Sequence, residues 1–401
     1  MCLQAERYEN AVQSEAPSRP QLEYILGRME EEYSRLRSCA DGFRTKERFL
    51  WALRRLEYAS SPGFPYCQQS STIGDWLGFD GCNFDQLRVS LLWSDVNLVF
   101  VGEYKAIWRC FIKDEPHSSL KVKQGRWRLI IMAPLSVQVV WHMLFGDQND
   151  LEIEEAFSLP SQQGIKMMAG GWKQYYDQWV AKGLNTAMDK SGWDWSFPGW
   201  AIEADLELRC RLVYGLEAAE WRMVASKLYE DAFRNTRLIL SDGSIYQQEG
   251  GWGVMKSGCV NTISTNSHGQ LFIHFFYCLI VGCPEQPLPV VAGDDTLSSA
   301  IHCQAEIYAR MGIAVKHVEN RVEFVGHHFT PAGPEPLYKL KHLYRAMYQP
   351  DENLAQYFDS MLRVYALSED FVFWQRVAWS LGLGRSLMSG DYYKAWYNYE
   401  M

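Results

Sequence analysis

The sequence has ten cysteines, but it contains no Cys-x-x-Cys pair and no group of cysteines and histidines at zinc-site spacing. We therefore interpret the cysteines as reduced core residues, which favours a cytosolic compartment. Residues 1–7 lack the apolar stretch of a secretory signal peptide. Internal repeats and low-complexity segments are also absent. Together these absences argue against a disulfide framework, a secreted protein and a repeat architecture.

Long uninterrupted hydrophobic runs are also lacking. Residues 129–145 are uncharged but contain Pro134 and several polar residues, and they are typical of a strand, a turn and a helix. Residues 271–282 form an apolar run that is too short to cross a bilayer. Both segments are therefore interpreted as buried core, and the sequence predicts no intrinsic membrane segment.

The composition is that of a large globular protein. Of the 401 residues, 47% are apolar and 22% are charged. The net charge of −9 argues mildly against a nucleic-acid partner. The charge is unevenly distributed, however, because residues 101–130 contain seven lysines and arginines and only three acidic residues. A basic site for polyphosphate is therefore one interpretation of this segment, and a solvated charged hairpin is the other.

Residues 290–297 read as a β-hairpin with two adjacent carboxylates at its tip, Asp294 and Asp295. Adjacent carboxylates repel each other unless a cation lies between them, and hard divalent cations prefer oxygen ligands. Gly-Asp-Asp alone is weak evidence, since a chain of this length contains it by chance roughly one time in ten. The surrounding sequence must therefore decide between a metal site and an acidic turn.

The rest of the chain alternates helical and strand-like segments. Asp189 follows a short run of small and apolar residues, as a carboxylate at the end of a strand would. A glycine-rich loop at residues 250–258 leads into an apolar helix that begins near Thr262 and carries Asn266 one turn further on. The patterns also predict strands over 313–318 and 321–329 and a hairpin around residues 242–243. They predict helices over 21–57, 171–182, 217–233 and 301–311, and mostly helix over 351–401 with a break at the glycines near residues 382–384.

Three short motifs occur in a fixed order: Asp189-x₄-Asp194, then Ser257-Gly258-x₃-Thr262-x₃-Asn266, then Gly293-Asp294-Asp295. Their form and separation resemble palm motifs A, B and C of the viral RNA-dependent RNA polymerases. Residues 113–115 and 128–130 are similar to motif F, residues 61–65 to motif G, residues 312–316 to motif D and residues 324–326 to motif E. The resemblance covers about residues 60–345, and the wording of motifs A and B looks most like the sobemovirus and polerovirus group.

The resemblance implies template-directed nucleotidyl transfer with two Mg²⁺ ions, for which Mn²⁺ can substitute, and no other cofactor. Asp189 and Asp294 would bridge the ions, with Asp295 in support, and Lys316 would be the general acid for pyrophosphate. The remaining implied roles fall into three groups: triphosphate binding by Lys113, Arg126 and Arg128; selection of the ribose 2′-hydroxyl by Asp194, Ser257, Thr262 and Asn266; and the RNA path along Ser61, Gly63, Pro65, Lys121, Lys123 and Gly258.

The implied fold is α+β, a right-hand polymerase with a small antiparallel palm sheet backed by helices. Residues 1–20 would be a loose lead-in, residues 21–182 mainly fingers, residues 183–330 the palm with a fingers segment inserted at about 200–250, and residues 331–401 a short helical thumb. The implied partners are template RNA, nascent RNA and nucleoside triphosphates, together with a viral genome-linked protein and other viral replication proteins. The implied location is the host cytoplasm, at membrane-associated replication complexes reached through partners.

Three alternatives stay open. A reverse transcriptase shares the palm carboxylates, but the pairing of Asp194 with Asn266 argues against it. A catalytically silent RNA-binding scaffold would be expected to have lost a metal ligand, yet Asp189, Asp294 and Asp295 are all present. An acidic protein–protein module would leave the ordered motifs unexplained. The priming mode, whether by a protein, by RNA or de novo, is undecided.

Overall fold

The computed structural model describes residues 14–249 and 251–398. Helices dominate the described part of the chain. In order, the α-helices are α1 (Arg19–Glu32), α2 (Lys46–Leu53), α3 (Ile73–Leu77), α4 (Gln86–Val101), α5 (Ser119–Lys123), α6 (Leu135–Glu154), α7 (Gly171–Ala181), α8 (Trp193–Ser196), α9 (Gly199–Leu212), α10 (Ala218–Phe233), α11 (Thr262–Val281), α12 (Ala305–Arg310), α13 (Lys339–Ala346), α14 (Asp351–Val364), α15 (Phe371–Ser380) and α16 (Gly390–Asn398).

The strands are short and form small sheets. They are β1 (Ser38–Cys39), β2 (Trp108–Ile112), β3 (Leu129–Met132), β4 (Thr186–Lys190), β5 (Val213–Tyr214), β6 (Arg237–Ile239), β7 (Ile245–Gln247), β8 (Val290–Ala292), β9 (Asp295–Ser298), β10 (Val315–Glu319), β11 (Glu323–Phe324), β12 (His327–Thr330) and β13 (Gly333–Pro336). Two four-stranded sheets have the orders β10-β4-β9-β8 and β3-β2-β6-β7; β11, β12 and β13 form a third sheet, and β1 pairs with β5.

The sheet β10-β4-β9-β8 is antiparallel throughout, and its strands alternate between two environments. In β4, the side chains of Thr186, Met188 and Lys190 are buried, while Asp189 lies on the opposite, more open face. Helix α11 packs against β8 and is buried along nearly its whole middle. Because the middle of α11 is buried on all sides, its residues 271–278 carry no hydrophilic face.

The N-terminal half forms the larger hydrophobic core. Helix α6 runs through it, with buried residues on every face from Leu135 to Phe145. The strands β2 and β3 pair antiparallel beside it, and the parallel pairing of β2 with β6 attaches the hairpin β6–β7 to the same sheet. Thus the segment near residues 237–247 joins the N-terminal sheet, although it follows β4 in sequence.

A second core lies at the C-terminal end. Helices α14, α15 and α16 bury Phe358, Trp374 and Tyr393 against each other, and helix α7 and the sheet β11–β13 pack on the same cluster. The described residues therefore combine helical layers with several small, mainly antiparallel sheets. This arrangement confirms the α+β class. The division into fingers, palm and thumb at residues 182 and 330 stays a prediction.

Several predicted elements are confirmed, including the hairpin of residues 290–297, the hairpin around residues 242–243, and the strand, turn and helix of residues 129–145. Others are wrong in detail. The predicted helix over 21–57 is interrupted, because residues between α1 and α2 form a 3₁₀ turn and the strand β1. The predicted strand over 321–329 is a hairpin, turning at Val325 and Gly326, both of which have positive φ.

Two further predictions concern the chain ends and membranes. Most of the predicted lead-in, residues 1–13, lies outside the described residues; residues 14–18 have no regular secondary structure, and α1 begins at Arg19. Gly250 of the glycine-rich loop also lies outside the described residues. Among the helices that the structure describes, none is both long and apolar enough to cross a membrane.

Candidate active site

Three carboxylates meet at one end of the sheet β10-β4-β9-β8. Asp189 lies in β4, Asp294 in the turn of the β8–β9 hairpin, and Asp295 at the start of β9. The last residue pair between β4 and β9 joins Met188 to Thr296, so Asp189 lies one residue further toward the hairpin turn. Asp294 and Asp295 are exposed, and the side chain of Asp189 is 44% exposed, so the carboxylates open to solvent.

Helix α11 fixes the turn that carries Asp294. The backbone N–H of Gly293 donates to Ser267 Oγ at 2.9 Å, and Gln270 Nε2 donates to the backbone oxygen of Asp294 at 3.1 Å. Gly293 has a φ of +65°, a conformation that suits glycine and allows the tight turn. The buried helix therefore holds the hairpin tip through two polar side chains on its inner face.

The carboxylates perturb one another. The pKa of Asp295 is raised to about 6, mainly because its carboxylate is partly shielded from water and, to a smaller extent, because Asp294 and Asp189 repel it. On the core side of the same strand as Asp189, Lys190 is buried, and its Nζ donates to Thr296 Oγ1 at 2.9 Å. Burial lowers the pKa of Lys190 to about 8, against the attraction of the nearby acids. A buried lysine thus partly balances the negative charge from beneath the sheet.

Lys316 lies on the solvent side of the carboxylates. Its Nζ donates to Asp189 Oδ2 at 2.6 Å, across the pairing of β10 with β4. His317 follows it, with Nε2 at 3.9 Å from the same carboxylate oxygen. The structure therefore brings the predicted motif D lysine into direct contact with a predicted metal ligand.

The predicted 2′-hydroxyl readers Asp194 and Asn266 are brought together. Burial and the charge of Asp294 raise the pKa of Asp194 to about 6, while a hydrogen bond from Asn266 and the charge of Arg128 act in the opposite direction. Asn266 is 5% exposed, and its Oδ1 has no hydrogen-bond partner among the described residues. A buried amide oxygen without a partner is an acceptor that a ligand hydroxyl could satisfy.

The other two residues of this predicted group have backbone partners. Ser257 Oγ accepts from Ile131 N–H at 3.3 Å and donates to Leu129 O at 3.1 Å, so it is bound to β3. Thr262 Oγ1 lies at 2.7 Å from both Lys256 O and Cys259 O, where it closes the loop before α11. Both hydroxyls are thus bound to backbone groups, and their role in ribose selection stays a prediction.

The predicted triphosphate site contains a carboxylate. Glu115 has a side chain only 5% exposed; Arg128 Nη1 lies 2.8 Å from its Oε1, and Lys113 Nζ lies 3.3 Å from its Oε2. Arg345 of α13 approaches the same Oε2 at 3.9 Å, from the C-terminal helices. Burial raises the pKa of Glu115, but the two neighbouring cations more than compensate and hold it below its usual value. Arg126 lies in the same loop, after α5.

The predicted RNA-path residues come from three separate parts of the chain. Gly63 packs against the backbone of Ala133, at the end of β3. Ser61 Oγ accepts from Gly63 N–H at 3.3 Å and from Arg109 Nη1 at 3.4 Å. Gly258 forms a parallel bridge with Met132 of the same strand. The structure thus places the segments that carry motifs G and B against β3. The other three residues of this group, Pro65, Lys121 and Lys123, have exposed side chains.

With the geometry described, the family can be stated. A model of the family "Viral RNA-dependent RNA polymerase" matches residues 32–286, which is more than half of the chain. The chain belongs to the viral RNA-dependent RNA polymerases. The resemblance seen in the motifs is therefore confirmed, as is the similarity to the sobemovirus and polerovirus group, whose proteins are among the relatives of this polymerase.

Individual relatives are about 30% identical. "Protein P2-P3" of Poinsettia latent virus is 30% identical over 384 residues, 86% of this chain and 34% of the relative. "Replicase polyprotein P2AB" of Southern cowpea mosaic virus is 32% identical over 267 residues, 63% of this chain and 27% of the relative. The "RNA-directed RNA polymerase" of Mushroom bacilliform virus is 30% identical over 289 residues, 67% of this chain and 68% of the relative. The chain thus spans about a third or less of the first two relatives.

A solved structure supports the fold. The "Sicinivirus 3Dpol RNA dependent RNA polymerase" superposes with a TM-score of 0.72 and 15% identity, covering 98% of this chain and 88% of that chain. The right-hand fold predicted from the motifs is therefore confirmed for nearly the whole polymerase.

The residues of the polymerase fit a pair of divalent cations. Three carboxylates converge on a solvent-open point, and burial together with repulsion from Asp294 and Asp189 raises the pKa of Asp295. The Lys316 ammonium supplies positive charge to Asp189 in this structure. Asp189 and Asp294, with Asp295 beside them, are the residues that could hold the ions.

Sequence reasoning missed three residues of the site: Lys190, Ser267 and Gln270. Strand alternation could have indicated that Lys190, next to Asp189, points into the core. Ser267 and Gln270 are buried polar residues in the polar first half of α11, three positions apart and therefore on one face. Glu115 was noted only as part of motif F, and its role in holding Lys113 and Arg128 depends on tertiary structure.

Proposed function

We propose that the chain catalyses template-directed synthesis of RNA from nucleoside triphosphates, replicating and transcribing a viral RNA genome. The observation that carries this proposal is the meeting of Asp189, Asp294 and Asp295 at one sheet end, with Asp194 and Asn266 beside them. An RNA polymerase site needs carboxylates that hold metal ions and polar groups that recognise a ribose hydroxyl, and this arrangement offers both.

In the proposed reaction, the 3′-hydroxyl of the growing RNA attacks the α-phosphate of the incoming nucleotide, and pyrophosphate leaves. Two bound Mg²⁺ ions, or Mn²⁺ in their place, would supply the charge that activates the hydroxyl and stabilises the departing pyrophosphate. Asp189 and Asp294 would hold the ions. Asp295 would support them from the side, so its removal should have the milder effect.

Lys316 is proposed to give a proton to the departing pyrophosphate. Its Nζ already lies at the carboxylate end of the sheet, 2.6 Å from Asp189 Oδ2. A lysine at this position would be placed to give a proton to a pyrophosphate that leaves beside Asp189. Proton transfer at this point would neutralise part of the charge that develops on the leaving group.

The incoming triphosphate is proposed to bind Lys113, Arg126 and Arg128. Lys113 and Arg128 now contact Glu115, which contributes a single negative charge. A triphosphate offers more charge and more acceptor oxygens, and the arginine can bind them in a bidentate manner. Glu115 would then keep the two cations in place between turnovers.

Asp194 and Asn266 are proposed to select ribonucleotides. A 2′-hydroxyl can donate one hydrogen bond and accept another, and the partnerless Oδ1 of Asn266 is a suitable acceptor. A deoxynucleotide would leave that buried oxygen unsatisfied, which is the basis of strong discrimination. Ser257 and Thr262 would support this group from the loop that precedes α11.

The RNA path is proposed to follow Ser61, Gly63 and Pro65, then Gly258, with Lys121 and Lys123 contacting phosphates. We also propose residues 21–182 as mainly fingers, 183–330 as palm with the segment near 200–250 belonging to the fingers, and 331–401 as thumb. Because β6 pairs with β2, the hairpin of that inserted segment already lies on the N-terminal sheet, which supports its assignment.

Partners beyond RNA and nucleotides are proposed from the relatives. A genome-linked viral protein and other replication proteins would act with the polymerase, at membrane-associated complexes in the host cytoplasm. The relatives' names include replicase polyproteins, which is the support for a multi-protein setting.

Primer extension tests the proposed activity. A short RNA primer on an RNA template is incubated with ribonucleotides and Mg²⁺, using wild type, Asp294→Ala and the control Asp177→Ala, an exposed residue of α7 that pairs with Lys173. We expect extension by wild type and the control, and a loss of at least about 10³-fold for Asp294→Ala, in line with the loss of a major electrostatic group. RNA binding by wild type without any extension, with and without primer, would instead favour the silent scaffold.

A further inference from the structure

Three side chains of types that can bind metals lie together further along α11 from the carboxylates, toward its C-terminal end. His274 and Cys278 are one turn apart on α11, and His302 lies in the 3₁₀ turn of residues 300–302 that follows β9. All three are buried, and one ligand atom from each lies within 4.8 Å of the others. The two imidazole rings meet edge to face, with centroids 4.6 Å apart.

The hydrogen bonds of His302 resemble those of a metal-binding histidine, whereas in His274 the nitrogen that donates to Glu285 O, Nε2, is also the one 3.8 Å from Cys278 Sγ. His274 Nε2 donates to Glu285 O, and His302 Nε2 donates to Pro284 O, each at 2.8 Å. The other ring nitrogen of His302, Nδ1, is buried with no hydrogen-bond partner among the described residues. Metal-binding histidines usually donate one ring N–H to a carbonyl or carboxylate and leave the other nitrogen for the metal.

Cys283 lies beside the cluster, but its thiol is not among the ligand atoms that all lie within 4.8 Å of one another, so its loop would have to shift for it to become a fourth ligand. Its thiol interacts with that of Cys278 through a side-chain hydrogen bond, and it lies in the same loop as Pro284 and Glu285. Two cysteines and two histidines form a common tetrahedral zinc site. Two thiolates would neutralise the charge of Zn²⁺, so no further acid is required in the buried site.

We propose that His274, Cys278, Cys283 and His302 form a structural Zn²⁺ site. Binding would release one proton from each thiol to solvent and would involve no oxidation or reduction. Neutral imidazole is the form that binds a metal.

The location gives the site a structural role. It would join the C-terminal end of α11 to the segment that follows the catalytic strand β9. The loop at Glu285 also contacts α1, since Tyr24 Oη donates to Glu285 Oε1 at 2.7 Å and Arg28 Nε donates to Oε2 at 3.0 Å. Because these contacts use the Glu285 side chain, its backbone oxygen stays available to orient His274.

A route to solvent exists. An open surface cavity of about 520 Å³ is lined by Cys278, Gly282, Cys283 and Glu285, among others. A metal ion could therefore reach the thiols without unfolding of the helix. The same exposure would also allow oxidation of Cys278 and Cys283 to a disulfide, which is the competing outcome of the test.

The test uses the full chain and does not depend on polymerase activity. The protein is treated with a chelator under reducing conditions, exchanged into buffer, and titrated with ZnCl₂ or CoCl₂. We expect one zinc per chain that survives gel filtration, and a cobalt complex that shows thiolate-to-metal charge-transfer absorption. Cobalt bound at the catalytic carboxylates would lack that absorption, so the spectrum separates the two sites.

Cys278→Ser and His302→Ala should each lower the affinity for zinc by at least about tenfold and abolish the stabilisation that zinc gives to wild type. Cys303→Ser is the matched control, because Cys303 is buried next to His302 but donates to Ser299 O outside the cluster. Absence of thiolate charge transfer in wild type, or zinc binding that Cys278→Ser leaves unchanged, would overturn the proposal. A Cys278–Cys283 disulfide in the freshly purified protein, found by mass spectrometry with no bound metal, would also overturn it.

Discussion

Removing the imidazole of His268 should change how stability depends on pH. His268 is fully buried on α11, with Nδ1 2.6 Å from Asp205 Oδ1 and Nε2 3.3 Å from Glu152 Oε1. Arg209 is the other buried cation of the cluster and pairs with Asp205 at 3.3 Å. A protonated His268 makes the cluster neutral, with two positive and two negative groups.

The expected magnitude follows from the pKa. Burial acts to lower the pKa of His268, but Glu152 and Asp205 outweigh it and raise the pKa from 6.5 to about 9. That difference corresponds to roughly 3 kcal/mol of stability at pH values below about 6.5. A group whose folded pKa is raised contributes fully below its unfolded pKa, so this contribution should decline as pH rises from about 6.5 and be lost above about 9.

The unfolding free energy of wild type alone will not show this decline directly. Lys256 is also buried, and its pKa is lowered to about 7, so it favours the folded state as pH rises through the same window. The measured quantity must therefore be the difference between wild type and His268→Asn in the free energy of urea unfolding, at several pH values from 6 to 9. We expect this difference to shrink by roughly 3 kcal/mol over the range.

His142→Asn is the matched control. His142 is neutral in the folded protein throughout this range, because burial lowers its pKa to about 4, so its replacement should give a difference that is constant above about pH 7.5 and changes by less than about 1 kcal/mol below it, where the unfolded imidazole protonates. A constant difference for His268→Asn would mean that His268 is neutral in the folded protein. The account of a charge-balanced cluster would then be wrong.

Three further predictions follow from the site. Asn266→Ala should reduce the preference for ribonucleotides over deoxynucleotides by at least about tenfold in kcat/KM, with Thr236→Ala as a control; an unchanged preference would contradict the sugar-selection role. Lys316→Ala and Lys316→Arg should both lower kcat with little change in KM, because arginine keeps the positive charge but does not release its proton, whereas recovery of kcat by Lys316→Arg, or a rise in KM alone, would indicate an electrostatic binding role. Gly63→Ala should destabilise the protein by about 2 kcal/mol or more, because a Cβ would lie 2.2 Å from Ala133 O at a φ of +69°, while Gly27→Ala in open space on α1 should not.

The hairpin of residues 290–297 could be predicted because its signals are local. A short run of small and apolar residues that leads into Gly-Asp-Asp, with a further apolar position after it, specifies strand, turn and strand within residues 290–297. The same reasoning failed at Val325, where an apolar run turns back on itself. Val325 has a φ of +42°, which the sequence does not indicate, because valine rarely adopts such a conformation.

Contacts between distant segments could not be predicted. The interruption between α1 and α2 depends on β1 pairing with β5, about 175 positions later, through Ser38 and Val213. The zinc-ligand cluster was missed for a similar reason, since His302 lies 24 positions after Cys278 and no fixed spacing connects them. Spacing rules find sites built within one turn or hairpin and overlook sites that tertiary folding assembles.

The central claim is that this chain copies RNA by means of Asp189, Asp294 and Asp295. The most direct measurement is single-nucleotide extension of one RNA primer on four RNA templates that differ only in the first unpaired base. We expect wild type to add only the complementary ribonucleotide on each template, and Asp294→Ala to bind the same RNA without adding it. Addition that ignores the template base, or extension that Asp294→Ala retains in full, would contradict the claim.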